Sequence, residues 1–153
     1  MKVKNKSKKV IYIDLNGVLV DFDGELKNID KSILKKYKGN FDNIPDILSK
    51  MKPMPGAIEA FKKLSKKFDT YILSTASWDN PLFWSDSVGW VKKHLGELAR
   101  KRLTITHHKE LSRGDYLIDD RMKNGSEKFT GELILFGSER FPDWESVLKY
   151  LLK

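Results

Sequence analysis

The sequence predicts an α/β fold built on a mainly parallel sheet, and three observations carry that expectation. Short apolar runs suited to buried strands recur along the chain. Amphipathic stretches of helical period separate them, which is the alternation that joins parallel strands through helices. The length, 153 residues, is that of one domain with a sizeable core and is cramped for two.

Each element follows from its own residues. Val10–Asp14 is the first strand, and the polar, lysine-rich stretch 23–52 comes after it. Its apolar positions, Ile33, Leu34 and Tyr37, then Ile44, Ile47, Leu48 and Met51, read as two short helices around a loop at Gly39–Asn43. Pro53-Met54-Pro55-Gly56 is a turn that resets the chain, after which Ile58, Phe61, Leu64 and Phe68 line one face of a helix. The second strand is Thr70–Leu73. An aromatic-rich segment, 78–89, is broken at Asn80-Pro81, and Val88, Val91, Leu95 and Leu98 then give a helix ending near Ala99–Arg102. Three more strands follow, Leu103–Ile105, Tyr116–Ile118 and Leu133–Phe136, and Trp144, Val147, Leu148, Leu151 and Leu152 form the apolar stripe of a last helix.

Composition narrows the classes of function. Apolar residues make up 40% of the chain and charged residues 33%, as in soluble globular proteins. No apolar run approaches the roughly 20 residues of a membrane span. The basic start, Met1 to Lys9, has no apolar signal-peptide core behind it, so export is not expected. Absence of cysteine removes disulfides, thiolate metal sites and a cysteine nucleophile, and is compatible with a cytoplasmic location. The net charge of +8 is concentrated partly in Lys2, Lys4, Lys6, Lys8 and Lys9, a frayed basic tail. With no nucleic-acid-binding signature beside it, the charge reads as solubility and steering, and nucleic acid is not expected as a partner.

In open parallel sheets, ligands bind beyond the carboxyl ends of the strands. The chemically suggestive groups fall there: Asp14-Leu15-Asn16-Gly17, Ser74-Thr75 and Asp119-Asp120-Arg121, with Lys109 on the loop before the fourth strand. Carboxylates brought to one point repel unless a hard cation lies between them, and an oxygen-only set suits Mg²⁺. A carboxylate can also attack phosphorus and divide hydrolysis into two displacements, for which Asp14 is placed. A hydroxyl at Ser74 and the Lys109 ammonium would then stabilise the phosphoryl oxygens.

Taken in order, an aspartate ending a strand and followed by x-x-Gly-Val, then Ser/Thr, Lys and Asp-Asp, resembles the four-motif set of the haloacid dehalogenase (HAD) superfamily. Tyr12-Ile13-Asp14-Leu15-Asn16-Gly17-Val18-Leu19-Val20-Asp21-Phe22, with Pro53–Gly56, Ile72–Ala76 and Leu117–Arg121, is similar to its 5′(3′)-deoxyribonucleotidase branch over nearly the whole chain. The resemblance implies a single Rossmann-like HAD core, residues 1–153, with 23–52 as a small helical cap inserted after the first strand. It implies a Mg²⁺-dependent phosphatase acting on a small phosphomonoester, a nucleoside or deoxynucleoside monophosphate. Asp14 then resembles the nucleophile, Ser74 the phosphate-binding hydroxyl, Thr75 a second phosphate contact and Lys109 the lysine that steadies both. Asp120 matches the direct metal ligand, Asp119 a metal or outer partner, and Phe22 an aromatic that contacts the nucleoside.

Asn16 departs from the pattern. In the family an aspartate there gives a proton to the leaving alcohol and later takes one from water, while its backbone carbonyl binds the metal. An amide exchanges no proton at neutral pH, but the carbonyl is unchanged. Metal and phosphate binding should survive, and hydrolysis should be impaired. Such a chain fits either a substitution that traps a ligand or a protein of weak hydrolysis or another role. Two other functions stay open: a phosphate- or nucleotide-binding protein without turnover, and a phosphatase of nucleic-acid ends recruited by the basic surface.

Some residues have a plainer reading. His107 and His108 are adjacent and point apart, so they read as surface histidines. Trp78, Phe83, Trp84 and Trp90 read as core or rim packing rather than a base-stacking wall. Arg121 reads as the partner of an acidic neighbour.

Overall fold

A computed structural model describes residues 6–153. Much of the expected basic tail, including Lys2 and Lys4, lies outside those residues. Five strands form one sheet: β1 (Val10–Ile13), β2 (Asp69–Ser74), β3 (Leu103–Ile105), β4 (Tyr116–Asp119) and β5 (Glu132–Leu135). Their order is β3-β2-β1-β4-β5, and every pairing is parallel. Each strand agrees with its sequence-predicted span to within a residue at either end.

β1 lies at the centre, with Ile13 in register with Ile72 on one side and Ile118 on the other. Ile11 and Ile13 are fully buried, which explains an apolar strand without polar alternation. From β1 the chain runs outward through β2 to β3, then returns to β4 on the opposite side of β1. The direction of winding therefore reverses between β1 and β4, and a crevice opens beyond their carboxyl ends.

Five helices complete the fold: α1 (Phe22–Leu26), α2 (Lys31–Lys36), α3 (Ala57–Lys67), α4 (Pro81–Leu95) and α5 (Trp144–Leu151). α3 starts after Gly56, whose φ of +80° suits a residue without a Cβ. It buries Ala57, Ala60, Phe61 and Leu64, while its lysines stay on the solvent face. α5 is closed by a capping box between Asp143 and Ser146. Its Trp144 also donates from Nε1 to the Val18 carbonyl at 2.9 Å, fixing the loop that follows β1.

Two expectations are corrected. The segment around Asn80-Pro81 is not a break before a later helix, because α4 begins at Pro81. Proline at a first helical position loses no hydrogen bond and has its φ preset, so the breaker starts the helix. The second short helix expected over Ile44, Ile47, Leu48 and Met51 is a succession of turns, with a short 3₁₀ turn at Phe41–Asn43 before it. Pro45 and Asp46, the latter at φ +59°, interrupt helical geometry there. All four side chains are buried nonetheless, so the apolar spacing reported burial rather than helix.

Segment 22–52 leaves and rejoins the sheet layer at one place. Asp21 N–H donates to the Lys52 carbonyl at 3.0 Å and Met54 N–H to the Leu19 carbonyl at 2.8 Å, stitching its two ends together. Trp90 on α4 donates from Nε1 to the Met51 carbonyl at 2.9 Å, and Ile44, Ile47, Leu48 and Met51 join the main core. Phe61 sits fully buried in the same cluster. Phe61→Ala should lower unfolding free energy by about 3–5 kcal/mol in urea titration, the cost of lost burial plus an unfilled cavity.

Candidate active site

The crevice at the β1/β4 reversal is where charge accumulates. Asp14 follows β1 directly and extends its pairing, with Asp14 N–H donating to the Ile118 carbonyl at 2.8 Å. The chain then turns tightly. Leu19 and Val20 both donate to the Leu15 carbonyl, and Gly17 donates to the Val20 carbonyl at 2.9 Å. Gly17 has φ +83°, and a Cβ there would lie 2.1 Å from Asp120 Oδ2. Glycine is therefore demanded twice, by the left-handed backbone and by the close approach of a carboxylate.

Asp119 ends β4 and Asp120 follows it. A carboxylate oxygen from each of Asp14, Asp119 and Asp120 lies within 4.8 Å of the others. Lys109 enters from the loop before β4, on a 3₁₀ turn, and is held by its own N–H donating to the Asn124 carbonyl at 2.8 Å. Its Nζ donates to Asp119 Oδ2 at 2.7 Å and to Asp14 Oδ1 at 3.1 Å. Asp14 Oδ1 also accepts from Leu15 N–H at 2.8 Å, and Asp119 Oδ1 from Arg121 N–H at 3.0 Å. Asp14, Lys109 and Asp119 are buried, at 7%, 3% and 2% exposure.

One ammonium cannot balance three carboxylates in so little water. Burial pushes the Asp14 carboxyl well above the usual carboxylate range; Lys109 draws it back, and Asp119 and Asp120 push it further up. Asp120 is also raised, by burial first and then by Asp119. For Lys109, burial works against the charge, but Asp14 and Asp119 outweigh it and the ammonium is held above its ordinary value. Two buried oxygens, Asp120 Oδ1 and Asn16 Oδ1, have no hydrogen-bond partner. Uncompensated negative charge, an oxygen-only donor set and an orphaned carboxylate oxygen together fit a divalent cation.

These groups open into a cavity of about 470 Å³ whose lining includes Asp14, Asn16, Phe22, Thr75, Lys109 and both aspartates after β4. Ser74 is the exception among the sequence-predicted residues. It is fully buried at the end of β2, does not line the cavity, and its Oγ donates to the Thr75 carbonyl at 3.4 Å. The hydroxyl that lines the cavity is the next one, Thr75, on the first residue after β2. Thr75 Oγ1 donates its one proton to the Thr106 carbonyl at 2.7 Å, and that proton must swing from the carbonyl to meet an anionic oxygen in the cavity.

Other lining residues were read differently from sequence. His107 lines the cavity rather than facing away from it, while His108 is exposed beside Glu110. Of the aromatics, Phe83 and Trp90 are buried as expected, but Trp78 is 78% exposed at the cavity mouth. Arg121 lies 3.9 Å from Asp120, the acidic neighbour expected for it. Asn124, whose carbonyl holds Lys109, went unrecognised. Its signal was the Asn124-Gly125 pair, a turn dipeptide that here adopts left-handed φ at both residues.

Comparison with known proteins agrees with this geometry. The fold matches the magnesium-bound YfnB of Bacillus subtilis, provisionally assigned as a HAD hydrolase, at a TM-score of 0.65 and 11% identity, covering 95% of this chain and 99% of that one. A haloacid dehalogenase-like hydrolase of Streptococcus pneumoniae, SP0104, matches at a TM-score of 0.59 and 13% identity, covering 94% and 91%. The chain thus shares the fold of these two proteins. A protein of Vibrio phage KVP40 provisionally named a 5′(3′)-deoxyribonucleotidase is 51% identical over 98% of this chain and 88% of its own length. The mouse mitochondrial 5′(3′)-deoxyribonucleotidase is 24% identical over 86% and 71%. Residues 28–147 match the family model described as 5′ nucleotidase, deoxy (pyrimidine), cytosolic type C protein, and the chain belongs to that family.

A carboxyl raised on folding makes the native state hold a proton that the unfolded chain releases. Between the ordinary carboxylate value and the raised one, stability therefore falls as pH rises. Metal-free protein should melt at progressively lower temperature as pH rises above the ordinary carboxylate range, and Asp14→Asn should flatten that slope. A divalent cation should raise the melting temperature more at the higher pH, where the carboxylates are ionised. Identical slopes for the two proteins would contradict this account.

Proposed function

We propose that this chain is a Mg²⁺-dependent phosphomonoesterase of nucleoside or deoxynucleoside monophosphates, working through an aspartyl-phosphate on Asp14, with turnover held down by Asn16. One observation carries the reading: a buried carboxylate hydrogen-bonded to a buried ammonium, with two further carboxylates beside it, at the mouth-facing end of the central strand. The family and the phage relative support the substrate class.

Asp14 and Asp120 would hold the metal, with the Asn16 backbone carbonyl, and Asp119 serves as a metal or outer partner while it fixes Lys109. When bound, the cation neutralises the carboxylates and polarises the phosphoryl group. In the first displacement a carboxylate oxygen of Asp14 attacks phosphorus and the bond to the ester oxygen breaks. In the second, water attacks the same phosphorus, the bond to Asp14 breaks, and phosphate leaves. Lys109 holds Asp14 in place and offers positive charge to the phosphoryl oxygens. Thr75 turns its hydroxyl proton from the Thr106 carbonyl to a phosphoryl oxygen, Phe22 packs on the nucleoside, and segment 23–52 acts as the cap.

Both displacements need a proton moved, to the leaving alkoxide and then from the water. The Asn16 amide does neither at neutral pH, so solvent must exchange those protons. Asn16→Asp should raise phosphate release from deoxynucleoside monophosphates by about 10²–10⁴-fold. Adding Asp14→Asn should abolish that gain, and no gain over background from the single change would sink the proposal. Because Asn16-Gly17 can deamidate, the native preparation should first be verified by intact mass. Thr75→Val should weaken inorganic phosphate binding about tenfold in calorimetry, the worth of a hydrogen bond to a charged group, whereas Ser74→Ala should change it little.

A further inference from the structure

Trp78 stands apart from the other tryptophans. Trp90 and Trp144 are each 2% exposed, whereas Trp78 is 78% exposed and lines the active-site cavity. A single exposed aromatic is ordinary on a protein surface, and Trp78 is informative because it also lines the candidate active-site cavity. The turn that carries this one is clamped on several sides. Ser77 Oγ donates to Asn43 Oδ1, and Asn80 Nδ2 donates to the Asp42 carbonyl at 2.9 Å and the Ile44 carbonyl at 3.3 Å. Trp84 Nε1 donates to the Ser77 carbonyl at 2.8 Å. The indole also meets His107 edge-on at 6.3 Å, and His107 is tilted against Trp84 at 5.9 Å. The turn that carries Trp78 is thus fastened to residues 42–44 and to α4, and the uncovered indole stands on an ordered backbone, which lowers the entropy cost of stacking a flat ligand on it.

Phe22, Phe41 and Phe83 line the same cavity, but Phe22 and Phe83 are nearly buried, so the open indole of Trp78 offers a stacking face that they do not. Lys123 lines the same cavity, is exposed, and has no ion pair among the described residues. An aromatic platform with a free cation nearby is the combination that binds single-stranded nucleic acid, the ring stacking a base and the ammonium meeting the backbone.

We propose that Trp78 and Lys123 form an outer subsite for the nucleotide adjoining the phosphorylated one, so that the site accepts the phosphorylated ends of single-stranded DNA as well as mononucleotides. The inference rests on the phosphomonoesterase reading for the inner site and adds a second base and a phosphodiester outside it. The basic surface, read from sequence as solubility, then has a ligand to steer.

The test compares dTMP with the thymidine dinucleotides pTpT and TpTp, binding to the native protein in Mg²⁺ by quenching of tryptophan fluorescence and by calorimetry. At least one dinucleotide should bind about tenfold tighter than dTMP, the effect of one stacked base. Trp78→Ala should remove that advantage and Trp78→Phe should retain most of it, while dTMP affinity changes less than twofold in both. Lys123→Ala should reduce the advantage and flatten its salt dependence. If neither dinucleotide binds tighter than dTMP, or if Trp78→Ala weakens all ligands alike, the outer subsite is wrong. Failure of the phosphomonoesterase reading looks different: Asn16→Asp would release no phosphate from dTMP while the dinucleotide preference persisted.

Discussion

An ammonium and three carboxylates share a space from which water is nearly excluded, and the surrounding architecture is arranged to hold them there. Lys109 bridges Asp14 and Asp119, joining the loop before β4 to the ends of the two strands between which the winding reverses. Separated, each buried charge would be costly; together they form a cluster with a surplus of negative charge. Burial first, and then that surplus, raises the Asp14 carboxyl, and the oxygen-only cluster fits a divalent cation. Gly17 belongs to the same arrangement, since the turn after Asp14 passes so close to Asp120 that no side chain fits between them.

Around this cluster the fold supplies rigidity from three directions. β1 is paired on both sides, so Asp14 leaves a strand that cannot shift without breaking two ladders. Trp144 fastens the following loop to α5, and Trp90 fastens the return of segment 22–52 to α4. The inserted segment is therefore not a loose flap at its base. Its stem is hydrogen-bonded and its apolar side chains belong to the main core, while residues such as Phe41 and Asp42 reach the cavity. Precise placement of reacting groups depends on such support, because small displacements at an active site cost large factors in rate.

On the proposed function, binding and proton transfer are separable within the loop after β1. Asp14, the carbonyl of residue 16 and Lys109 concern charge and phosphate. The side chain of residue 16 concerns protons, and its Oδ1 sits buried without a partner. On the proposed function, the chain keeps the first set and lacks the second, which makes it a good retainer of its ligand and a slow catalyst. The outer subsite at Trp78 and Lys123 would add to retention rather than to turnover.

The strands, the apolar faces of α3 and α5, and the clustering of Asp14, Asp119, Asp120 and Lys109 beyond the strand ends were legible in the sequence. Each is governed by local pattern: apolar runs, helical spacing, and the rule that parallel sheets bind ligands at their carboxyl ends. Pattern failed where one residue's orientation or a neighbour's backbone decided the outcome. The spacing of Ile44 to Met51 suggested a helix, but Pro45 and Asp46 turned the chain while the core still took the side chains. Asn80-Pro81 looked like a break and proved to be a helix start. Ser74 and Thr75 are chemically alike and adjacent, and only the folded chain buries the first at the end of β2 and leaves the second lining the cavity. The placement of Trp78 was likewise beyond the sequence, since its neighbours Ser77 and Asn80 are tied to residues 42–44, more than thirty positions away. The sequence by itself determined which chemical groups meet and at which end of the sheet. The tertiary structure decided which side chains face the substrate, because that depends on the relative placement of segments distant along the chain.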